Sequence, residues 1–246
     1  MRVAVAGGTG VVGTHVVEAL SRAGHTPVTV SRGRGVDLVT GTGLDEALSG
    51  TEAVIDVSNV TTTGRAKSVE FFEAATTNLL QAGRAAGVRH HVVLSIVGVD
   101  RVKFGYYEGK LRQEELALGG TVPATVLRAT QFHEFPGQIL ERIPGPVAVL
   151  PRQLIRPVAA ADVASELVSI ALGEPRGLAA ELAGPEEHQL VDLARRIVRK
   201  RGRRRPVIGV RMPGEGGRAM ASGGLLPGPG ARFGQQTFDE WIESEF

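Results

Sequence analysis

The sequence predicts an α/β fold: a doubly wound parallel sheet covered by helices, with a small C-terminal lobe. Three observations predict it. Short runs of Val, Ile, Leu and Ala alternate with longer stretches of helical periodicity through the first half of the chain, the pattern of strand, crossover helix and next strand. Glycine is abundant, with 33 residues, and aromatics make up only 4%, so the core must be packed from Val, Leu, Ile and Ala, as in a sheet buried on both faces. The length of 246 residues fits one such domain, because α/β folds reach this size undivided.

The first unit is the most informative. Val3 to Ala6 is an apolar run, Gly7-Gly8-Thr9-Gly10 breaks it, and Val11-Val12-Gly13 opens a helix reaching about Ala23. Glycines allow positive φ and let an anion approach the main chain, while the first N–H groups of a helix are unpaired and carry the positive end of its dipole. Gly7, Gly10 and Gly13, with Thr9, Val11 and Val12, therefore form a candidate pyrophosphate cradle. Their three-residue spacing differs from the strict Gly-x-Gly-x-x-Gly order.

Pro27 to Val30 is the second strand, ending at Ser31 and Arg32. In dinucleotide-binding units the side chain about twenty residues past the glycines meets the adenosine ribose, where an acid accepts the 2′-hydroxyl and an Arg accommodates a 2′-phosphate. Ser31, Arg32 and Arg34 occupy that place with no acid before Asp37, which favours NADP(H), with NAD(H) as the alternative. Arg32 and Arg34 as ordinary solvated loop charges is the competing reading. The segment from Gly33 to Gly43 is too short for a crossover helix. It leaves room for a short third strand at Val36 to Val39, which would put Asp37 and Leu38 near the adenine.

Leu44 to Leu48 gives one or two helical turns, and Ala53 to Val57 is a fourth strand ending at Ser58-Asn59. A long helix covers Arg65 to Ala86. The fifth strand, His91 to Ile96, carries Ser95 at its carboxyl end. A helix follows from about Tyr106 to Leu118, and Ala124 to Arg128 is the sixth strand. From Pro136 the alternation loses regularity: strands near Val147 to Leu150 and Ile155 to Val158, a helix from Ala160 to Leu172, a strand near Ala179 to Leu182, a basic helix from Val191 and a strand at Val207 to Val210. The Gly/Pro-rich tract from Gly214 to Gly230 is expected to be mobile, and Phe238 and Trp241 to anchor a last helix. The expected organisation is one domain over 1–246, with a substrate-side lobe drawn mainly from 136–159 and 176–246.

Composition removes several function classes. With no cysteine there is no disulfide, cysteine metal site or thiol catalysis. A net charge of +2 implies no nucleic-acid partner. The basic run from Arg195 to Arg205 has Leu190, Leu193, Ala194, Ile197 and Val198 at helical spacing and no interleaved aromatics, which makes it a solvated helix face. No His/Asp/Glu spacing suggests a metal, and no Gly-x-Ser-x-Gly elbow supports hydrolysis. No leader precedes the first strand and no apolar run is long enough to span a bilayer, so the expectation is a cytoplasmic protein without a membrane partner.

Tyr106 and Lys110 are four apart and share one helix face. Ser95 lies at the mouth of the preceding strand, where open α/β sheets bind ligands. A phenol seldom ionises at neutral pH, and a nearby ammonium stabilises the phenolate. Tyr106 could then exchange a proton with a substrate oxygen while hydride moves to or from a nicotinamide, with Ser95 holding the same oxygen. Tyr107, three from Lys110, competes for the role. His133, beside Phe132 and Phe135, is either an acid–base group or a packed side chain.

Gly7 to Gly13, strand-end Ser95, the Tyr106–Lys110 pair and the run from Leu127 to Phe132 together resemble an atypical short-chain dehydrogenase/reductase of the NmrA-like, NAD(P)-binding subgroup. The resemblance covers about residues 1 to 172 and more loosely the remainder. It implies a Rossmann-like sheet, NADP(H), and a Ser-Tyr-Lys site at Ser95, Tyr106 and Lys110, with Lys110 also on the cofactor. It further implies that Ser58 and Asn59, and Ala129, Thr130, Gln131 and Phe132, border the cofactor's ribose and nicotinamide. The expectation is an NADP(H)-dependent oxidoreductase acting on a small carbonyl, alcohol or quinone-like molecule, as monomer or homodimer. Two rivals stand beside it, a non-catalytic regulator that senses NAD(P) and a nucleotide-sugar epimerase or dehydratase.

Overall fold

The structure, a computed structural model, describes all 246 residues. In chain order the elements are β1 (Arg2–Ala6), α1 (Val11–Arg22), β2 (Thr26–Val30), α2 (Leu44–Leu48), β3 (Ala53–Asp56), α3 (Arg65–Ala85), β4 (His90–Ile96), α4 (Gly105–Leu118), β5 (Ala124–Ala129) and α5 (Phe135–Arg142). There follow β6 (Ala148–Pro151), β7 (Leu154–Ile155), α6 (Ala160–Ala171), β8 (Gly177–Leu178), β9 (Leu182–Ala183), β10 (His188–Gln189), α7 (Leu190–Lys200), β11 (Val207–Val210), α8 (Gly214–Ala221), β12 (Arg232–Phe233) and α9 (Phe238–Glu245). The chain folds as two compact units. One comprises Met1–Ile96, Phe104–Arg128 and Val163–Ala180; the other comprises Val97–Lys103, Ala129–Asp162 and Glu181–Phe246.

The first unit is a Rossmann-like doubly wound sheet in the order β5-β4-β3-β1-β2, with β8 beside β5. β2, β3 and β4 run parallel to their neighbours, with Val3 opposite both Pro27 and Ala53. Val3 to Ala6 and Ala53 to Ile55 are wholly buried, as the apolar runs require of strands covered on both faces. The strand order reverses at β1, because β2 lies on one side of it and β3 on the other. The carboxyl end of β1 is thus the switch point at which such sheets bind ligands.

The expected third strand at Val36 to Val39 does not form. Arg32–Arg34 is a single 3-10 turn, and residues 37–42 are a loop closed on Asp37. The Asp37 carboxylate accepts from the N–H groups of Val39 and Thr40, at 2.8 and 3.1 Å, and Asn78 of α3 donates to the Leu38 and Val39 carbonyls. Side chains satisfy the backbone here, so the segment needs no sheet partner. Leu38 packs with Val36 and Leu44 against the core under β1 and β3.

The second unit has only short strands. β6 and β11 pair in parallel, β7 and β10 antiparallel, β9 and β12 in parallel. Its core joins Leu140, Leu150, Ile155, Leu193 and Ile197 to Phe238, Trp241 and Ile242, so the last helix is anchored as expected. Two expectations are corrected here. The single strand near Ala179 to Leu182 is replaced by two separate ones, β8 and β9. The strand near Ile155 to Val158 is confined to β7, with Val158 making only an isolated bridge to Phe132. The tract from Gly214, expected to be mobile, opens with α8 and is then tied down: Arg101 donates to the Leu226 carbonyl and the Glu181 carboxylate accepts from Gly228 N–H. No helix is long and apolar enough to cross a membrane.

Candidate active site

The glycine turn forms where the sequence places it. Gly7 has φ of 80°, in the left-handed region open to glycine, and its N–H bonds the Val30 carbonyl at 3.0 Å. A Cβ on Gly13 would lie 2.2 Å from the Gly7 carbonyl oxygen, so the third glycine lets the first turn of α1 press against the loop. α1 starts at Val11 with no side-chain cap and no acid in its first turn, and Val11 is exposed. Nothing of the chain's own competes for the N-terminal N–H groups, which leaves them for an anion.

Beside this turn, Ser31 closes a short loop, accepting through its carbonyl from Arg34 and Val36 N–H. Arg32 and Arg34 stand on the loop, exposed, and their guanidinium groups make no hydrogen bond or ion pair within the chain. Ser31 Oγ is buried and unpartnered. Across the turn lies the exit of β3. A Cβ on Gly7 would sit 2.9 Å from the Val57 carbonyl oxygen and 3.0 Å from Ser58 Cα. Ser58 N–H donates to Asp56 Oδ1 at 2.9 Å, while Ser58 Oγ is buried with no partner. The glycine cradle and the orphaned serine hydroxyls fit a dinucleotide, because each is a polar group or a space that the protein leaves unfilled.

Ser95 is 2% exposed at the end of β4, and its Oγ also lacks a partner. α4 carries the other two members of the expected trio. Tyr106 is half-buried and its hydroxyl donates to Asn59 Oδ1 at 2.7 Å. Its ring meets Phe72 of α3 edge-on, with centroids 5.9 Å apart. Tyr107 is buried, 5.3 Å from the Phe104 ring, and burial pushes its phenol pKa upward.

Lys110 is turned into the core. It is 4% exposed; its ammonium donates to the Leu94 carbonyl at 2.6 Å and to Gln113 Oε1, and lies 4.8 Å from the Phe72 ring centre. Burial lowers its pKa to about 8 against the opposing pull of Asp56 and Glu114. Gln113 in turn donates to Asp56 Oδ2 at 2.8 Å. A buried chain therefore runs from Lys110 through Gln113 to Asp56 and the Ser58 turn. The same aromatic ring, Phe72, touches both Lys110 and Tyr106. Sequence reasoning missed Asp56, Phe72 and Gln113: Gln113 falls one turn after Lys110, a spacing legible only once Lys110 is known to point inward.

Of the expected site residues, Gly7 to Gly13, Ser31 to Leu38, Ser58, Asn59, Ser95, Tyr106 and Lys110 belong to the first unit, and Ala129 to Phe132 to the second. There Thr130 Oγ1 donates to the Arg156 carbonyl, and the Gln131 amide is buried with neither end partnered. Phe132 bridges to Val158. His133 is fully buried; Nε2 meets the Gln236 carbonyl at 3.1 Å, and the ring packs with Phe238 and Trp241. Burial lowers its pKa, against the backbone bond to Gln236 and the pull of Asp162. No group of three acidic or His side chains is placed to hold a metal.

Comparison with known proteins places these features in a wider setting. Residues 3–99 match the model of the NAD dependent epimerase/dehydratase family. No curated protein sequence matches the chain significantly. Among solved structures, the chain superposes with a TM-score of 0.69 on a short-chain dehydrogenase/reductase superfamily protein from Agrobacterium tumefaciens with bound NAD, at 21% identity over 99% of this chain and 95% of that one. An NADPH-dependent quinone oxidoreductase from Escherichia coli gives 0.68 at 19% identity over 99% of both chains. UDP-glucose 4-epimerase from Stenotrophomonas maltophila, with bound NAD and formylated UDP-arabinopyranose, gives 0.73 at 16% identity over 100% of this chain and 98% of that one.

Proposed function

We propose, from the premise that this chain has the fold of an atypical short-chain dehydrogenase/reductase, that it is an NADP(H)-dependent oxidoreductase acting on a small carbonyl, alcohol or quinone-like molecule. One observation carries the reading. The loop that leaves β3 abuts the glycine turn at Val57 and Ser58 and holds the hydroxyl of Tyr106 at Asn59. A dinucleotide cradle and a phenol able to move a proton thus share one loop.

A nicotinamide dinucleotide would supply or take the hydride. The chain's own residues do the rest. Gly7 to Gly13 and the α1 N-terminus receive the pyrophosphate, and Arg32 and Arg34 receive a 2′-phosphate. Tyr106 gives its phenolic proton to the substrate oxygen or takes it back, and Ser95 offers its unpartnered hydroxyl to the same oxygen. Tyr107 is the weaker candidate, because burial holds its proton in place. An epimerase or dehydratase is the second reading, and the family match over residues 3–99 favours it. That match ends before Tyr106, so it speaks to the dinucleotide half alone.

Tyr106→Phe removes the proton and little else. NADPH-dependent turnover of a carbonyl and quinone panel should fall by about 10²-fold or more, the usual worth of a general acid. NADPH affinity, measured by fluorescence titration, should stay the same. Full turnover in the variant would overturn the assignment.

A further inference from the structure

We infer that Asn59 is a positioning residue for Tyr106: it holds the phenol in its protonated form and fixes the direction in which that proton points. The inference rests on the reading of Tyr106 as proton carrier and assigns the group that governs it.

Asn59 Oδ1 accepts twice, from Tyr106 OH at 2.7 Å and from the N–H of Val60 at 2.7 Å. The second bond matters because it fixes the amide. An amide oxygen can accept from a phenol but has nothing to donate to a phenolate. To greet a phenolate the side chain would have to turn over and present Nδ2, and the Val60 N–H holds it against that turn. A bond that exists only with the neutral form keeps the group neutral. The loop is itself held, since Asp56 Oδ1 takes Ser58 N–H and Asp56 Oδ2 takes Gln113 Nε2 of α4. Asn59 therefore faces Tyr106 from a fixed platform tied to the same helix that carries the phenol.

Charged groups on α3 and α4 near Tyr106 have partners of their own. Arg65 of α3 and Glu108 of α4 are paired with each other. Lys110 is one turn along α4, with its ammonium bonded to the Leu94 carbonyl and Gln113. Tyr107 is buried, and burial pushes its pKa upward. The Tyr106 hydroxyl is seated on Asn59 Oδ1. The phenol has one proton, so giving it to a substrate oxygen means exchanging the bond to Asn59 for one to the substrate.

The chain has only two tyrosines, Tyr106 and Tyr107, so in a Tyr107→Phe background the phenolate absorbance in the near ultraviolet reports Tyr106 alone. Titrated without cofactor or substrate, Asn59→Ala in that background should lower the Tyr106 midpoint by about one pH unit, and Asn59→Asp should raise it by at least as much, because a carboxylate opposes the phenolate. A circular dichroism melt of each variant, taken in parallel, identifies the pH range in which it is folded, and midpoints are compared within it. Midpoints for both variants within a few tenths of the background value would overturn the inference. The titration involves no turnover. Shifted midpoints in a protein that reduces nothing would leave Asn59 assigned and sink the oxidoreductase reading; active enzyme with unmoved midpoints would do the reverse.

Discussion

The two units hold themselves together by different means. In the first, a sheet of parallel strands four to seven residues long satisfies the backbone and buries whole apolar runs. In the second, the paired strands are two to four residues long, and side chains do much of the tying. Its basic helix α7 illustrates this: Arg196 pairs with Asp239, Lys200 with Glu243 and Arg201 with Glu141, while Arg205 donates to the Leu140 and Ile143 carbonyls. The difference teaches how each unit satisfies its backbone, by longer ladders in the first and with more help from side chains in the second; both leave buried polar atoms unpartnered, Ser58 and Ser95 Oγ in the first and both ends of the Gln131 amide in the second.

The sharpest break of that contrast is at the ion pair within the first unit. Glu114 of α4 takes both Arg128 Nε and Nη2 of β5, at 3.0 and 2.7 Å, with side chains only 4% and 11% exposed. Glu114→Ala should cost about 3 to 5 kcal/mol in urea unfolding, because it takes the carboxylate away from a nearly buried guanidinium. The same truncation at Glu243, 71% exposed in the second unit, should cost no more than about 1 kcal/mol. Equal losses would erase the distinction.

Lys110 tests the first unit by pH. Its folded-state pKa, about 8, lies below the ordinary 10.5, so the fold prefers the neutral amine. Below pH 8 both states are protonated and the group adds no pH dependence. Above it the unfolded chain binds more protons, and stability should rise with pH, by up to about 3 kcal/mol on approach to the unfolded pKa. The buried phenol of Tyr107 acts in the opposite sense above about pH 10, so the window to measure is pH 8 to 10. Lys110→Met should flatten the unfolding free energy across that window; an unchanged rise would place its origin elsewhere.

The last expected effect concerns the proposed cofactor. Arg32→Ala should weaken NADPH binding by about 1.5 to 3 kcal/mol, the worth of a hydrogen bond to a charged group, and leave NADH binding nearly untouched. Equal loss for both in calorimetric titration would remove Arg32 from a 2′-phosphate role.

Much of the first unit is legible in the sequence. Residue pattern alone places β1, the glycine turn and α1, because an apolar run, a glycine break and a helical period each have a local physical cause. β3, α3, β4, α4 and β5 follow by the same logic to within a residue or two. Legibility ends where side chains from distant elements decide. Val36 to Val39 has strand-forming residues, yet Asn78 and Asp37 take its backbone groups and no strand results. In the second unit, two-residue strands carry too little periodicity to be read.

The sequence by itself determined the fold class, the position of the glycine turn, the basic residues after β2, and the one-turn spacing of Tyr106 and Lys110. All of these depend on neighbours within a few residues. Only the tertiary structure decided which way those side chains face: Lys110 inward to Gln113 and Leu94, Tyr106 to Asn59, Tyr107 into the core. A helix period sets the angle between residues on one helix, but the strand or loop that each angle meets is set by the fold: Asn59 lies 47 residues before Tyr106 and Leu94 lies 16 before Lys110.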